Sequence, residues 1–331
     1  MNWIPLLAVG LAVLLMLSST VIAASVFWPR KHPFQGKGRT AEEYRATEIA
    51  NGVVFDQVFP CRPTHFDIGD GGRIAARIFG PDEARDLILL VHGIGAAGAR
   101  WNNPAGLLAE ATGAQVVVVD LRGHHHSSGR RYDLDHIGQY EDDLAQVIAS
   151  IQSDRPGARV WLAGHSMGGG VALRFALKSD RPRVSGYLLF APVLGPGPSA
   201  PRPAPAGSVL RIDRARMTGL VLLNRLGIRA FNHLPVAYLN APPEFPAYSF
   251  AAIASSLPLP PKSTGDALSA MESPFLIVAG AEDEAVYAEG YRELVAPHDH
   301  GRVEIRPGHG HDSLLNDRET HAVVARWFRQ R

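Results

Sequence analysis

WLAGHSMGGGVALRF, residues 161–175, sets four glycines within four positions of Ser166, at the point where an apolar run gives way to a helical pattern. The residues ahead of the serine are short, apolar and closed by glycine, which fits a strand; those after it fit the 3.6-residue period of a helix. Gly164, Ser166 and Gly168 form G-x-S-x-G. This pattern puts a serine on a tight strand-to-helix turn in strained backbone, with flanking glycines free of the Cβ atoms that would collide there. The hydroxyl is thereby lifted clear of the sheet. A helix beginning at Ser166 also aims its free N–H groups and positive dipole end at the place where an oxyanion would develop. Five letters recur by chance in a glycine-rich chain; the strand before and the helix after make the match specific.

Working outward, HFDIGDGGRIAARIF (65–79) reads as two short alternating segments about Asp70-Gly71-Gly72, a hairpin signal. DLILLVHG (86–93) and QVVVVDLRG (115–123) are apolar runs bounded by glycine, as expected of strands buried on both faces of a parallel sheet. WNNPAGLLAEATG between them predicts a helix that Gly113 ends. The alternation continues with a helix over 139–153, a strand over 159–163, a helix over 166–178 and a strand over 184–190. Repeated strand–helix–strand units imply βαβ crossovers and a mainly parallel sheet with helices on both faces. Residues 192–268 break the pattern. They are proline-rich, hold two apolar helical pieces, TGLVLLNRLGI (218–228) and FAAIASSL (250–257), and read as a cap inserted into one sheet domain spanning 62–331. FLIVAG (275–280) resumes the sheet, followed by a helix near 285–296, a strand over 302–306 and an amphipathic last helix near 316–330.

Residues 1–30 differ in kind, and 31–61 read as a tether and lead-in. No charge occurs from Trp3 to Trp28. A helix of that length spans about 39 Å, enough to cross a hydrocarbon core with some tilt, and an indole at each end suits the two interfaces. Lys and Arg are absent ahead of the run and follow it at Arg30, Lys31, Lys37 and Arg39. Residues 3–28 are therefore expected to be a retained single-pass membrane anchor with the bulk of the chain on the cytoplasmic side. A signal segment cleaved near Ala23-Ala24-Ser25, leaving a secreted or periplasmic protein, is the alternative. With 33 Lys plus Arg against 32 Asp plus Glu, no field is built up for nucleic acid. Cys61 is the sole cysteine, so an internal disulfide, a cysteine zinc cluster and a C-x-x-C pair are all excluded. The oligomeric state is left open.

HGIG at 92–95, DLRGH at 120–124, GHSMGG at 164–169, GAED at 280–283 and GHGHD at 308–312 stand in that order around the cap. In these motifs the chain resembles the α/β-hydrolase family, and within it the monoacylglycerol lipase, lysophospholipase and carboxylesterase group, over about residues 62–330. The resemblance implies an α/β-hydrolase fold with an inserted cap and a serine hydrolase that uses no cofactor and no metal. It implies Ser166 as nucleophile, Asp283 just past FLIVAG as orienting acid, and His311 in the loop before the last helix as base. The oxyanion donors would be the N–H groups of Ile94 and Met167. His92 and Gly93 would hold the first of these loops in shape, Gly95 would allow close approach, and Gly164 and Gly168 would clear the turn.

The residue chemistry narrows this further. A serine hydroxyl is a poor nucleophile at neutral pH until a base takes its proton, and an imidazole titrates in the right range. Of 14 histidines, His298, His300, His309, His311 and His321 follow the strand at 275, where the order Ser, acid, His places the base. His309 is the rival to His311, and Asp266 is a weaker candidate for the acid. Glu282 and Glu284 are expected to be solvated loop charges. The side chains of His124, His125 and His126 diverge as consecutive residues do, so they are expected on an exposed loop rather than around a metal. Ser313 and Leu314 stand where an H-x-H-x-D-H metal string beginning at His309 would need Asp and His. The expected activity is hydrolysis of a small-molecule acyl ester, lipid-like in view of the anchor and cap, through an acyl-enzyme on Ser166. A thioesterase, acyltransferase or proline-type peptidase would share the site. Dehalogenases and epoxide hydrolases would need Asp at 166, and a non-catalytic membrane-tethered scaffold would have no use for the triad.

Overall fold

The valine- and leucine-rich runs become buried strands because both faces of the sheet are covered by helices. A computed structural model of the chain describes residues 16–17, 19–56, 58–96, 98–203, 208–242, 246–258 and 263–331. One eight-stranded sheet runs in the order β1-β2-β4-β3-β5-β6-β10-β11. Its strands are β1 Arg62–Asp67, β2 Arg73–Phe79, β3 Asp86–Val91, β4 Gln115–Val119, β5 Arg159–His165, β6 Gly186–Phe190, β10 Phe275–Gly280 and β11 Gly301–Arg306. A second sheet, β7 Leu210–Ile212, β8 Pro235–Leu239 and β9 Ala247–Ser249, lies in the inserted segment. The helices are α1 Ala41–Ala50, α2 Asn102–Thr112, α3 Gln139–Asp154, α4 Met167–Leu177, α5 Arg214–Arg225, α6 Phe250–Ala254, α7 Thr264–Ala270, α8 Gly290–Val295 and α9 Arg318–Phe328.

In the large sheet β1 and β2 form the antiparallel hairpin, β2 is antiparallel to β4, and the remaining neighbours are parallel. One face packs Trp101, Leu108, Trp161, Trp327 and Phe328 under α2 and α9. The other packs Tyr140, Ile148, Val171, Phe175 and Leu268 under α3, α4 and α7. Each such side chain, taken fully out of water, contributes about 1.5–3 kcal/mol before the entropy of ordering it is counted. The register sets Val91 beside both Val119 and Gly164, and His165 beside Phe190. The loops that leave these strands therefore open next to one another at the carboxyl edge, where open α/β sheets hold their sites.

Several elements depart from the sequence pattern, each for a local reason. The inserted segment carries the sheet β7–β9 besides its helices. These strands are three to five residues long, and β8 opens on Pro235, too short to show alternation. The helix expected near 285–296 is confined to α8. The Asp283 carboxylate accepts the N–H groups of Ala285 and Val286, and Val286 bridges to Pro201 as extended chain. The supposed tether holds α1, started by a capping box in which Thr40 and Glu43 satisfy each other's backbone N–H groups. Its Glu48 pairs with Arg100 at the foot of α2.

Among the described residues no helix is long and apolar enough to cross a membrane. The span expected over 3–28 falls largely on residues 1–15 and 18, which lie outside the described residues. The described remainder is helical over 19–27 and ends packed on the cap rather than free. Val26 is fully buried, Arg216 of α5 donates to the carbonyls of Val26 (2.9 Å) and Trp28 (3.1 Å), and Arg30 pairs with Asp213 (2.6 Å).

Candidate active site

Strand β5 ends at His165 and α4 starts at Met167, so Ser166 alone makes the turn, one residue short of the helical conformation expected of it. Its φ of 53° and ψ of −118° lie in a region that side-chain-bearing residues avoid. Hydrogen bonds hold it there. The Ser166 N–H donates to the Phe190 carbonyl (3.0 Å), and its own carbonyl accepts the N–H groups of Gly169 (3.1 Å) and Val193 (2.9 Å). The glycines are required by close approach. A Cβ at Gly164 would lie 2.3 Å from the Gly168 carbonyl oxygen, and one at Gly168 would lie 2.3 Å from that of Val91. Backbone, not side chain, fills the space around the serine.

Three side chains from three separate loops meet here. His311 Nε2 lies 2.9 Å from Ser166 Oγ, and His311 Nδ1 lies 2.9 and 3.1 Å from the two carboxylate oxygens of Asp283. Asp283 is 1% exposed. Because a carboxylate can accept a hydrogen bond but has none to donate, Nδ1 carries the hydrogen and Nε2 is left to accept from the serine. Burial alone would lower the His311 pKa. The hydrogen bond and charge of Asp283, with Asp312 and Glu284 behind, outweigh it and raise the pKa to about 8.

The sign for activity follows directly. A base must be neutral, so kcat/KM for an ester should climb through an apparent pKa of about 8 and level off above it, read from a pH–rate profile. The contribution of the same pairing to stability runs the other way. It is present below the ordinary value of 6.5 and is lost as pH rises through about 8. A rate profile flat from pH 6 to 9 would remove His311 from the proton path.

The loop after β3 lies against the serine. Gly93 lies so close that a Cβ there would meet Ser166 Cβ at 3.0 Å. His92 is fully buried, and burial, with the nearby His124 adding to it, holds its pKa well below the ordinary value. It is therefore neutral, donating from Nδ1 to the Gly93 carbonyl (2.8 Å) and accepting the Leu121 N–H at Nε2 (3.0 Å). Met167 follows the serine directly as the first residue of its helix, where an N–H has no partner inside the helix, and Ile94 follows Gly93. An amide donor aimed at the ester carbonyl from either position would stabilise the oxyanion of a tetrahedral adduct.

Other candidates fall elsewhere. His309 Nε2 faces Asp317 at 3.4 Å, whereas the serine contact is made by His311. Asp266 caps α7 by accepting the N–H and hydroxyl of Ser263, and Glu282 is exposed. Two expectations need correction. Glu284 is exposed but not merely solvated, since it accepts the backbone N–H of His311 (3.0 Å). Of the histidine triplet only His125 and His126 are exposed; His124 is 1% exposed and bonded to Tyr248 of the cap (3.0 Å). No group of three or more His, Cys, Asp or Glu side chains among the described residues is placed to hold a metal ion.

Beneath the base, Asp312 pairs with Arg100 (2.6 Å), which also holds Glu48 of α1. Burial would raise the Asp312 pKa, but Arg100 dominates and holds it at about 2; at Glu48 burial wins and the pKa is raised. The Asp312 pairing thus stabilises the fold above pH ~4 and is lost as pH falls towards about 2, on the order of 2 kcal/mol. Asp312→Asn should lower Tm at neutral pH and flatten the acid limb of a Tm-against-pH curve between pH ~4 and ~2. An unchanged acid limb would contradict this.

The family model described as Serine aminopeptidase, S33 (Hydrolase_4) matches residues 82–319, from just ahead of β3 to the start of α9. The chain belongs to this α/β-hydrolase family. Among curated relatives, the monoacylglycerol lipase of Mycolicibacterium smegmatis is 25% identical over 277 residues, covering 80% of this chain and 94% of that one. The monoglyceride lipase of Homo sapiens is 30% identical over 164 residues, 48% of this chain and 50% of its own length, so for that relative the match spans half. Among solved structures, a soluble variant of monoglyceride lipase from Saccharomyces cerevisiae superposes with a TM-score of 0.61 at 18% identity, covering 84% of this chain and 98% of that one. The protein is a hydrolase of the serine esterase and lipase type. What the sequence did not announce in this hydrolase are Tyr248 and Glu284, which accept the backbone N–H groups of Gly95 and His311, and Arg100, which pairs with Asp312 and Glu48; none carries a motif of its own.

Proposed function

We propose that this hydrolase cleaves carboxylic esters with lipid-like acyl chains, monoacylglycerols foremost, through an acyl-enzyme on Ser166. The observation that carries the reading is the continuous chain of contacts from Asp283 through His311 to Ser166 Oγ, each step near 2.9 Å. In the first half-reaction Oγ bonds to the ester carbonyl carbon while its proton passes to His311 Nε2. The carbonyl oxygen takes the electron pair and rests on the N–H groups of Ile94 and Met167. Collapse breaks the ester C–O bond, and the departing alkoxide takes the proton from Nε2. Water then repeats the sequence on the acyl-enzyme, giving its proton to His311 and releasing the carboxylic acid from Ser166. Asp283 keeps its charge throughout and stabilises the imidazolium.

The lipid preference rests on three supports. Relatives are named as monoacylglycerol and monoglyceride lipases. The N-terminal segment packs on the cap, with Met16, Leu17, Val21, Phe27 and Trp28 exposed there. The cap itself adds Leu222, Leu226 and Ile228. These apolar side chains suit a location at a lipid surface, as does the charge-free run over 3–28. The family description names an aminopeptidase, so an aminoacyl arylamide is the comparison substrate. In detergent, fatty-acid release from decanoyl and longer monoacylglycerols should exceed turnover of acetyl esters and of the arylamide, and a fluorophosphonate should tag Ser166. Faster turnover of acetyl esters would end the lipid reading; faster turnover of the arylamide would replace esters by amides.

A further inference from the structure

We propose that Tyr248, a cap residue, is a positioning residue for the oxyanion loop, fixing the Ile94 N–H by holding Gly95 from the cap side. The inference rests on the reading of Ile94 as an oxyanion donor and assigns the cap a part in forming that site.

Tyr248 lies in β9 and is fully buried. Its hydroxyl oxygen accepts the Gly95 N–H at 2.8 Å and lies 3.0 Å from His124 Nε2. The direction of each bond is determined. His124 Nδ1 lies 3.0 Å from the Arg122 carbonyl, which can only accept, so the His124 hydrogen sits on Nδ1. Nε2 is then an acceptor, and the Tyr248 hydroxyl must donate to it. The phenol oxygen is left with lone pairs for the Gly95 N–H. Burial keeps His124 neutral, with a pKa lowered to about 4, and keeps the Tyr248 phenol protonated. A single relay therefore runs from the loop after β4, through a cap side chain, to the loop after β3.

Its placement matters because of what lies between the pinned points. His92 ties one end of the HGIG loop to the Leu121 N–H, and Tyr248 ties the other end at Gly95. Gly93 and Ile94 are the two residues between them. Gly95 has a φ of 68°, and a Cβ there would fall 2.2 Å from Leu239 Cδ2 of β8. Two neighbouring cap strands thus rest on one glycine. The Tyr248 ring is itself fixed by Tyr132 (4.9 Å between centroids) and His124 (5.4 Å). With the phenol oxygen removed, Gly95 keeps its packing but the Ile94–Gly95 peptide plane loses its anchor, and its rocking passes through the Ile94 torsions to the adjoining Gly93–Ile94 plane, which then presents the Ile94 N–H less constantly to an oxyanion.

Tyr248→Phe keeps the ring and removes only that oxygen. Relative to the unaltered hydrolase, kcat for a decanoyl ester should fall about tenfold with KM within about twofold, because the donor serves the transition state and not the ground state. The inhibition constant of an alkyl trifluoromethyl ketone, which forms an oxyanion on the serine, should rise by the same roughly tenfold factor. His124→Phe should reproduce part of the loss, and the double variant should be no worse than Tyr248→Phe alone, since both cut one relay. If Tyr248→Phe does not accumulate folded, 3,5-difluorotyrosine at 248, a weaker acceptor in nearly the same volume, should raise the ketone constant by about threefold. Unchanged kcat and ketone affinity would overturn the proposal, as would a change in KM with ketone affinity unmoved. Failure of fluorophosphonate to tag Ser166 in the unaltered protein would instead overturn the functional reading beneath it.

Discussion

Ser166→Ala is expected to lower kcat by about a million-fold while leaving Tm within a few degrees of the parent. Among the described residues the hydroxyl bonds only to His311 Nε2, and the helix start takes no side-chain cap from it. Its removal therefore costs chemistry and little structure. Alanine must still occupy φ of 53°, a strain that serine already bears and the surrounding backbone bonds already offset. Fluorophosphonate tagging should vanish with turnover, and adding His311→Ala to the variant should cost almost nothing more, because the two side chains act as one unit. Turnover within about tenfold of the parent would show that another group attacks the substrate.

The serine was legible in the sequence because its signal is local. A five-residue spacing, a strand ahead and a helix behind state the turn, and the glycines state that backbone must pass within 2.3 Å at Gly164 and Gly168. The parallel sheet was legible for the same reason, since strands buried on both faces read as unbroken apolar runs, as in QVVVV of β4. Asp283 and His311 came from chain order and family motif; nothing local separates His311 from His309, two residues away. What escaped is held by long-range pairing. The cap strands β7, β8 and β9 exist because each completes the others. Glu284 acts through a backbone N–H 27 residues on, and His124 is buried by a tyrosine 124 residues away. Propensity and period are silent on such partners. The lead-in helix α1 was hidden because its few apolar residues form no clear stripe: Ile49 is exposed, Tyr44 only partly buried, and no residue is fully buried to betray a face.

The contrast between His311→Ala and His309→Ala is the second large effect, and it decides the base. His311→Ala should lower kcat by about 100,000-fold, since it removes both the acceptor of the serine proton and the donor to the leaving alkoxide. His309→Ala should retain most activity. Its imidazole faces Asp317 at 3.4 Å, near the start of α9, so the expected loss is in stability and is small, at most about 1 kcal/mol for a partly exposed pair. The pH profile separates the two in a second way. In the His309 variant the climb through an apparent pKa of about 8 should persist, because its cause is the buried Asp283 beside His311. In the His311 variant the residual rate should lose that inflection and rise only with hydroxide. An inactive His309 variant with a normal Tm would move the base by two residues and require Asp317, not Asp283, as its partner. The loop would then have to turn over, breaking the contacts that Glu284 and His165 make to the His311 backbone at 3.0 and 3.1 Å. Those two bonds hold the backbone from which the His311 imidazole reaches the serine.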